Sequence, residues 1–237
     1  MKQYFWLAWW FLVPWSVSTA AEERPLIVVE LFTSQGCSSC LPADVFLGEL
    51  TRRGDILALS LHVGYWDYMG WNDPFALAAT VQRQQAYRNH FGLTYVYTPQ
   101  LVIHGMADLP GTSLEEAREA IRRAQKTPAV PLSITRQSDG SGLVEAGSGP
   151  GEGTVWRVIY DRHQRTLVKG GENGGRHLVN YNIVRRLEPM GRWSGQAAVY
   201  PIASPAMSTA PWQGMGVFIQ SEPTGAIQGA AILPPQE

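Results

Sequence analysis

Cysteine is nearly missing from this chain: 237 residues hold only Cys37 and Cys40. A closed zinc site wants four ligands, commonly a second C-x-x-C or histidines at short spacing, and the sequence has neither. Stapling is an equally poor use of two cysteines so close together. A four-residue loop gives about 2 kcal/mol on the chain-entropy model, against roughly 4.7 for a 100-residue loop. Charge is sparse as well, at 16% of residues, with a formal net charge of -1 and no basic run. Nucleic acid is therefore not an expected partner. What is plentiful is apolar: 45% hydrophobic residues describe a folded, core-forming protein, long enough for one large domain or two small ones.

The two cysteines stand in the most informative stretch, Val28–Asp44, V-V-E-L-F-T-S-Q-G-C-S-S-C-L-P-A-D. An apolar strand runs into a glycine turn, and the dithiol sits where a helix begins. That context is the redox motif of thioredoxin-like folds and is far more specific than C-x-x-C alone. Two sulfurs three residues apart on a first helical turn close a disulfide with little strain. The free amides at a helix start then favour a thiolate on the outer sulfur, Cys37. Cys37 is thus the expected nucleophile and Cys40 the thiol that resolves a mixed disulfide.

Ahead of this stretch, Lys2, the apolar run Phe5–Val17 and the small residues Ser18-Thr19-Ala20 have the pattern of an export signal over residues 1–20. The run is short of the ~20 apolar residues of a membrane span, so no span is expected after cleavage. Of 19 basic residues, loss of Lys2 leaves 18 against 20 acidic. Export implies a periplasmic or secreted protein in an oxidising compartment, where the resting state is the disulfide.

Residues 21–127 read as an α/β domain. Pro25–Phe32 is a buried strand interrupted by Glu30, a candidate proton carrier for Cys40. A helix over Leu41–Arg53, with Val45, Phe46 and Leu50 on one side, leads to a second strand over Asp55–Val63. The pair makes a β-α-β unit with parallel strands. Chemistry in open α/β sheets collects at the carboxyl ends of strands. That end of the second strand carries His62, a second candidate proton carrier, and an aromatic loop, Gly64-Tyr65-Trp66-Asp67-Tyr68, with Trp66 a candidate substrate contact. Asp73 and Pro74 suit the N-cap and first position of a helix running to about His90, with Arg83 and Arg88 on its solvated face. Pro99 opens the strand Gln100–Ile103. His104, about 16 Å further along an extended strand, is not counted with the site. Ser113-Leu114-Glu115-Glu116 is a capping box for a helix to about Gln125.

From residue 128 to 237 the texture becomes β-rich, with short alternating stretches broken by Gly, Ser and Pro, as in an antiparallel sheet or small sandwich. Lys169-Gly170-Gly171-Glu172-Asn173-Gly174-Gly175-Arg176 has the wrong spacing for a phosphate loop and reads as a glycine-rich β connection. Asn182, Arg185 and Arg186 are expected as surface or interdomain contacts.

The run F-T-S-Q-G-C-S-S-C-x-P-A-D, with H-V-G-Y-W-D-Y-M-G-W-N-D-P-F, Y-T-P-Q and G-E-N-G-G-R, resembles a family of secreted, thioredoxin-like bacterial proteins catalogued as a domain of unknown function. The likeness covers essentially the whole mature chain. It implies a thioredoxin-like N-terminal domain followed by a β-rich C-terminal domain. Cys37 and Cys40 match the family's dithiol, and Thr98-Pro99 its cis-proline pair, which would orient an extended substrate backbone. Leu41 departs from the pattern, which has proline there.

The leading expectation is an exported thiol–disulfide oxidoreductase acting on protein or small-thiol substrates, with no cofactor and no metal. Two rivals remain: a copper(I) protein using the same dithiol with His62 as third ligand, and a redox-inactive binding module that uses the aromatic loop.

Overall fold

The computed structural model describes residues 25–207, 213–222 and 224–234. The segment read as an export signal lies outside them. Strand β1 (Ile27–Thr33) and strand β2 (Ile56–His62) are apolar runs buried at every position, as befits strands covered on both faces. Helix α1 (Leu41–Leu50) crosses between them, and they pair in parallel from Ile27 opposite Ile56 to Thr33 opposite His62. Thr33 and His62 thus finish together at one edge, and both the dithiol loop and the aromatic loop leave from it.

On the other side of β1 lies β3 (Gln100–Ile103), antiparallel, followed by β4 (Ala107–Pro110). Alternation along β1 divides the interior. Ile27, Val29 and Leu31 face α1 and helix α3 (Leu114–Ala124). Val28 and Phe32 face the opposite core, with Tyr87 of helix α2 (Ala78–His90).

The remainder of the chain overturns the expected fold class. A thioredoxin-like α/β domain followed by a separate β-rich domain is not what forms. The described residues are mostly β, with 40% strand and 21% helix, and are organised on one mixed eight-stranded sheet that both halves build. Strands β7 (Gly153–Leu167), β8 (His177–Trp193), β10 (Gly214–Gln220) and β11 (Ile227–Ile232) complete the order β11-β10-β7-β8-β2-β1-β3-β4. The physical reason lies at the outer edge of β2. A β-α-β unit leaves that edge with open amides and carbonyls. Here β8 occupies it through a bridge between Ser60 and Ile183, and Asn182, at φ 42°, donates its side-chain N–H to the Ala58 carbonyl. A second sheet, β5 (Leu132–Arg136), β6 (Gly142–Ala146) and β9 (Ala198–Ile202), packs on β7 and β10 around Val144, Trp193, Val217 and Ile219.

Two local expectations also change. Helix α2 begins at Ala78 rather than at Pro74: Asp73 Oδ1 still accepts the Phe75 N–H, but its Oδ2 is drawn into a buried network with the Gln35 N–H and His62, and the chain turns before the helix starts. Arg83 lies inside the protein, not on a solvated face.

Candidate functional site

Cys37 and Cys40 form a disulfide, with Cα atoms 5.5 Å apart. The four-residue turn is built locally. The Cys37 N–H donates to the Ser34 carbonyl and the Cys40 N–H to the Cys37 carbonyl, and a 3₁₀ turn over Ser38–Cys40 runs directly into α1. Pro42 suits this helix start, since the first N–H groups of a helix have no intrahelical partner. Both cysteines are buried, Cys37 to 1% exposure, beneath exposed Ser38 and Ser39. The Ser39 hydroxyl lies 3.3 Å from the Cys37 sulfur. The outer sulfur is therefore covered in this conformation, with Ser39 against it.

Several residues singled out from the sequence converge on this turn. The Trp66 indole N–H donates to the Thr98 hydroxyl at 2.8 Å, and a Cβ at Gly36 would stand 3.2 Å from Trp66 Cβ. The Thr98–Pro99 peptide is cis. A Cβ on Gly111 would lie 2.6 Å from Pro99 and 3.0 Å from Ala43, so Pro99 sits one glycine's width from the first turn of α1. Trp66 stacks on exposed Tyr68, which makes an aromatic wall beside the dithiol loop.

The two candidate proton carriers part company. Glu30 points to the α2 face, away from α1. Its carboxylate accepts from Arg83 Nε and Nη2, at 2.5 and 3.0 Å, and from the Tyr87 hydroxyl; Gln220 of β10 bonds Arg83 and Tyr87 in turn. His62 lies with the site. Its Nδ1 is 2.7 Å from Asp73, both side chains are fully buried, and Nε2 has no hydrogen-bond partner among the described residues.

The residue that sequence reasoning passed over is Asp44. Four residues after Cys40, it occupies the same face of α1 one turn on. Burial pushes its carboxyl up to about 7, against the pull of His62 and of the Thr33 hydroxyl, which donates to it at 3.0 Å. Asn180 of β8 bonds Asp44 and accepts from the Gln35 amide, while the Gln35 backbone N–H donates to Asp73. Burial also raises Asp73, but His62 and the N–H groups of Gln35 and Phe75 outweigh it and hold that carboxyl below its usual range. Burial and hydrogen bonding thus push the two acids that interact with His62 in opposite directions. An acid in the first turn after C-x-x-C was the visible signal; it passes as a residue favoured by the helix dipole.

Glu172, from the glycine-rich connection between β7 and β8, accepts the Ser38 N–H at 2.9 Å, and the Ser38 backbone and hydroxyl hold its carboxyl below the usual range. Among the described residues, no group of three or more His, Cys, Asp or Glu is arranged to hold a metal ion. None of the described helices is long and apolar enough to cross a membrane.

A family model described as a protein of unknown function (DUF1223) matches residues 28–220. The chain belongs to this family. A crystal structure of the protein AGR_C_4864 from Agrobacterium tumefaciens is similar at 31% identity and a TM-score of 0.80, over 92% of this chain and 97% of that one. HBP35 of Porphyromonas gingivalis shares fold only, at 11% identity and a TM-score of 0.55, over 87% of this chain and 74% of that one. No curated protein matches the chain. The DUF1223 match spans the dithiol, Asp44, Trp66, Thr98-Pro99 and Glu172, so the whole site falls within the family region.

Proposed function

We propose that this protein is an exported thiol–disulfide oxidoreductase that exchanges its Cys37–Cys40 disulfide with protein or small-thiol partners. The observation that carries this reading is a disulfide at a strand-to-helix junction with a buried, near-neutral acid one helical turn behind it. In the reduced form, the Cys37 thiolate attacks a partner disulfide. A Cys37–partner bond forms and the partner's other sulfur leaves as thiolate, taking a proton from water. Cys40 then gives its proton to the Asp44 carboxylate and attacks the Cys37 sulfur, which releases the second partner thiolate and re-forms the intramolecular disulfide. Two electrons pass to the partner, and a partner dithiol drives the same steps in reverse. Trp66, Thr98 and Pro99 form the wall against which the partner's backbone would lie.

Trapping tests this directly. Cys40→Ala protein, expressed with its signal in a Gram-negative envelope, should accumulate Cys37-linked mixed disulfides that disappear on reduction and in the Cys37→Ser, Cys40→Ala double variant. Absence of such adducts, together with a Cys37 thiol that alkylates like a free cysteine of pKa about 8.5, overturns the reading.

A further inference from the structure

The β7–β8 connection is held against the dithiol loop by more than chance proximity. At Gly170 a Cβ would strike the Gly70 carbonyl at 2.2 Å, so only glycine lets the two backbones lie together. Gly171, at φ 66°, packs beside the Met69 carbonyl and Trp71. Asn173 is fully buried and donates to the Gln35 carbonyl at 2.9 Å. Between these anchors, Glu172 is delivered to the Ser38 N–H, one residue after the outer cysteine. Arg176 of the same segment turns to the Asn173 side chain, and Glu172 accepts from Ser38.

The turn has no side-chain cap of its own, and Glu172 supplies one from 134 residues away. Capping alone would stabilise disulfide and dithiol alike. The charge does not. A carboxylate at the helix start claims an amide dipole and repels a second negative charge placed beside it. We propose that Glu172 is a redox-setting residue, whose carboxylate opposes the Cys37 thiolate and holds the couple toward the disulfide. It acts through electrostatics on Cys37 and touches no substrate, so it is a positioning residue. The consequence is a more reducing dithiol than the bare helix start would give.

This inference rests on the exchange reading for its biological meaning but is tested separately, on the purified protein's own thiols. Glu172→Gln keeps an acceptor for Ser38 and removes the charge. Asn173→Ala loosens the anchor and leaves the charge. Measured by alkylation rate across pH, Glu172→Gln should lower the Cys37 pKa by about half to one unit. Equilibration with glutathione buffers should then shift toward the dithiol by about two- to fourfold between pH 7 and 8. Asn173→Ala should move both quantities much less. An unchanged pKa and equilibrium in Glu172→Gln, or an equal change in Asn173→Ala, overturns the proposal. A chain that shows the Glu172 shift yet traps no partner sinks the exchange reading and leaves this one standing.

Discussion

Glu30 and Asp44 are both buried acids close to the dithiol in sequence, on opposite faces of β1, and the protein treats them in opposite ways. Glu30 is fully compensated. A guanidinium grips both of its oxygens, a tyrosine hydroxyl adds a third bond, and Gln220 closes the ring from β10. Among the described residues, Asp44 has hydrogen bonds but no salt-bridge partner, and His62, which interacts with it, keeps a ring nitrogen without a hydrogen-bond partner. A compensated charge has nothing to exchange and ties elements together: here α2, β1 and the C-terminal strands. An under-compensated one is costly to ionise, and near neutral pH it takes up or gives a proton readily. On the proposed exchange reading, the difference separates a structural acid from a chemical one.

The largest effect that would break this contrast is on the Glu30 side. Arg83→Met leaves a buried carboxylate without its partner and should cost about 3–5 kcal/mol of stability, read from denaturant midpoints. Glu30→Met combined with Arg83→Met should recover much of that, because an apolar pair of similar volume is often neutral. Neither variant that folds should alter the pH profile of Cys37 alkylation. An Arg83→Met cost under about 0.5 kcal/mol, typical of a surface position, would remove the distinction.

On the Asp44 side the expected effect is kinetic first. Asp44→Asn should slow resolution of a mixed disulfide by Cys40 by roughly 10²-fold, the low end for a general base, and leave attack by Cys37 unchanged. Stop-flow release of a labelled thiol from Cys37 measures it; equal slowing of both steps would assign Asp44 to packing. Stability supplies an independent reading. A carboxyl raised from 3.8 to about 7 binds its proton more tightly in the folded state. Its contribution therefore falls as pH rises from about 4 to about 7 and is level above that. His104, lowered by burial to about 4, works against this slope: its contribution is full above pH 6.5 and is lost as pH falls. The wild-type curve alone conflates the two. The difference between Asp44→Asn and wild type isolates Asp44 and should grow from near zero at pH 4 to a few kcal/mol, on the order of 4 at most, by pH 7.

Much of this site was legible because it is local. Two branched apolar runs, a glycine turn, C-x-x-C and a helix pattern lie within residues 27–62 and specify β1, α1, β2 and their shared edge with little help from elsewhere. Pro99 announced a strand start for the same reason. What stayed hidden depends on distant partners. The outer half of β7, R-H-Q-R-T-L after buried Asp161, has only exposed and half-buried side chains, so it lacks the alternation by which a strand is recognised. Only its pairing with β8 makes it one. The closure of the β2 edge by β8 is likewise invisible in either segment alone, and that edge decides the fold class. Arg83 and Asp73 looked like a solvated cation and a helix cap because their partners, Glu30 and His62, lie 53 and 11 residues away.

The finest probe of the comparison is Thr33→Val, which changes one hydroxyl and little volume. Thr33 is the last residue of β1 and donates to Asp44 Oδ1, a bond that favours the charged carboxylate. Its loss should cost about 1 kcal/mol and push the Asp44 carboxyl further up. The pH midpoint for Cys40 resolution should then move upward by a fraction of a unit while the plateau rate at high pH is retained. That pairing of outcomes matters: a carboxylate acting as proton acceptor still works once it ionises, whereas a site merely loosened by the substitution loses rate at every pH. A uniform loss would place Thr33 and Asp44 among the structural contacts, alongside Glu30.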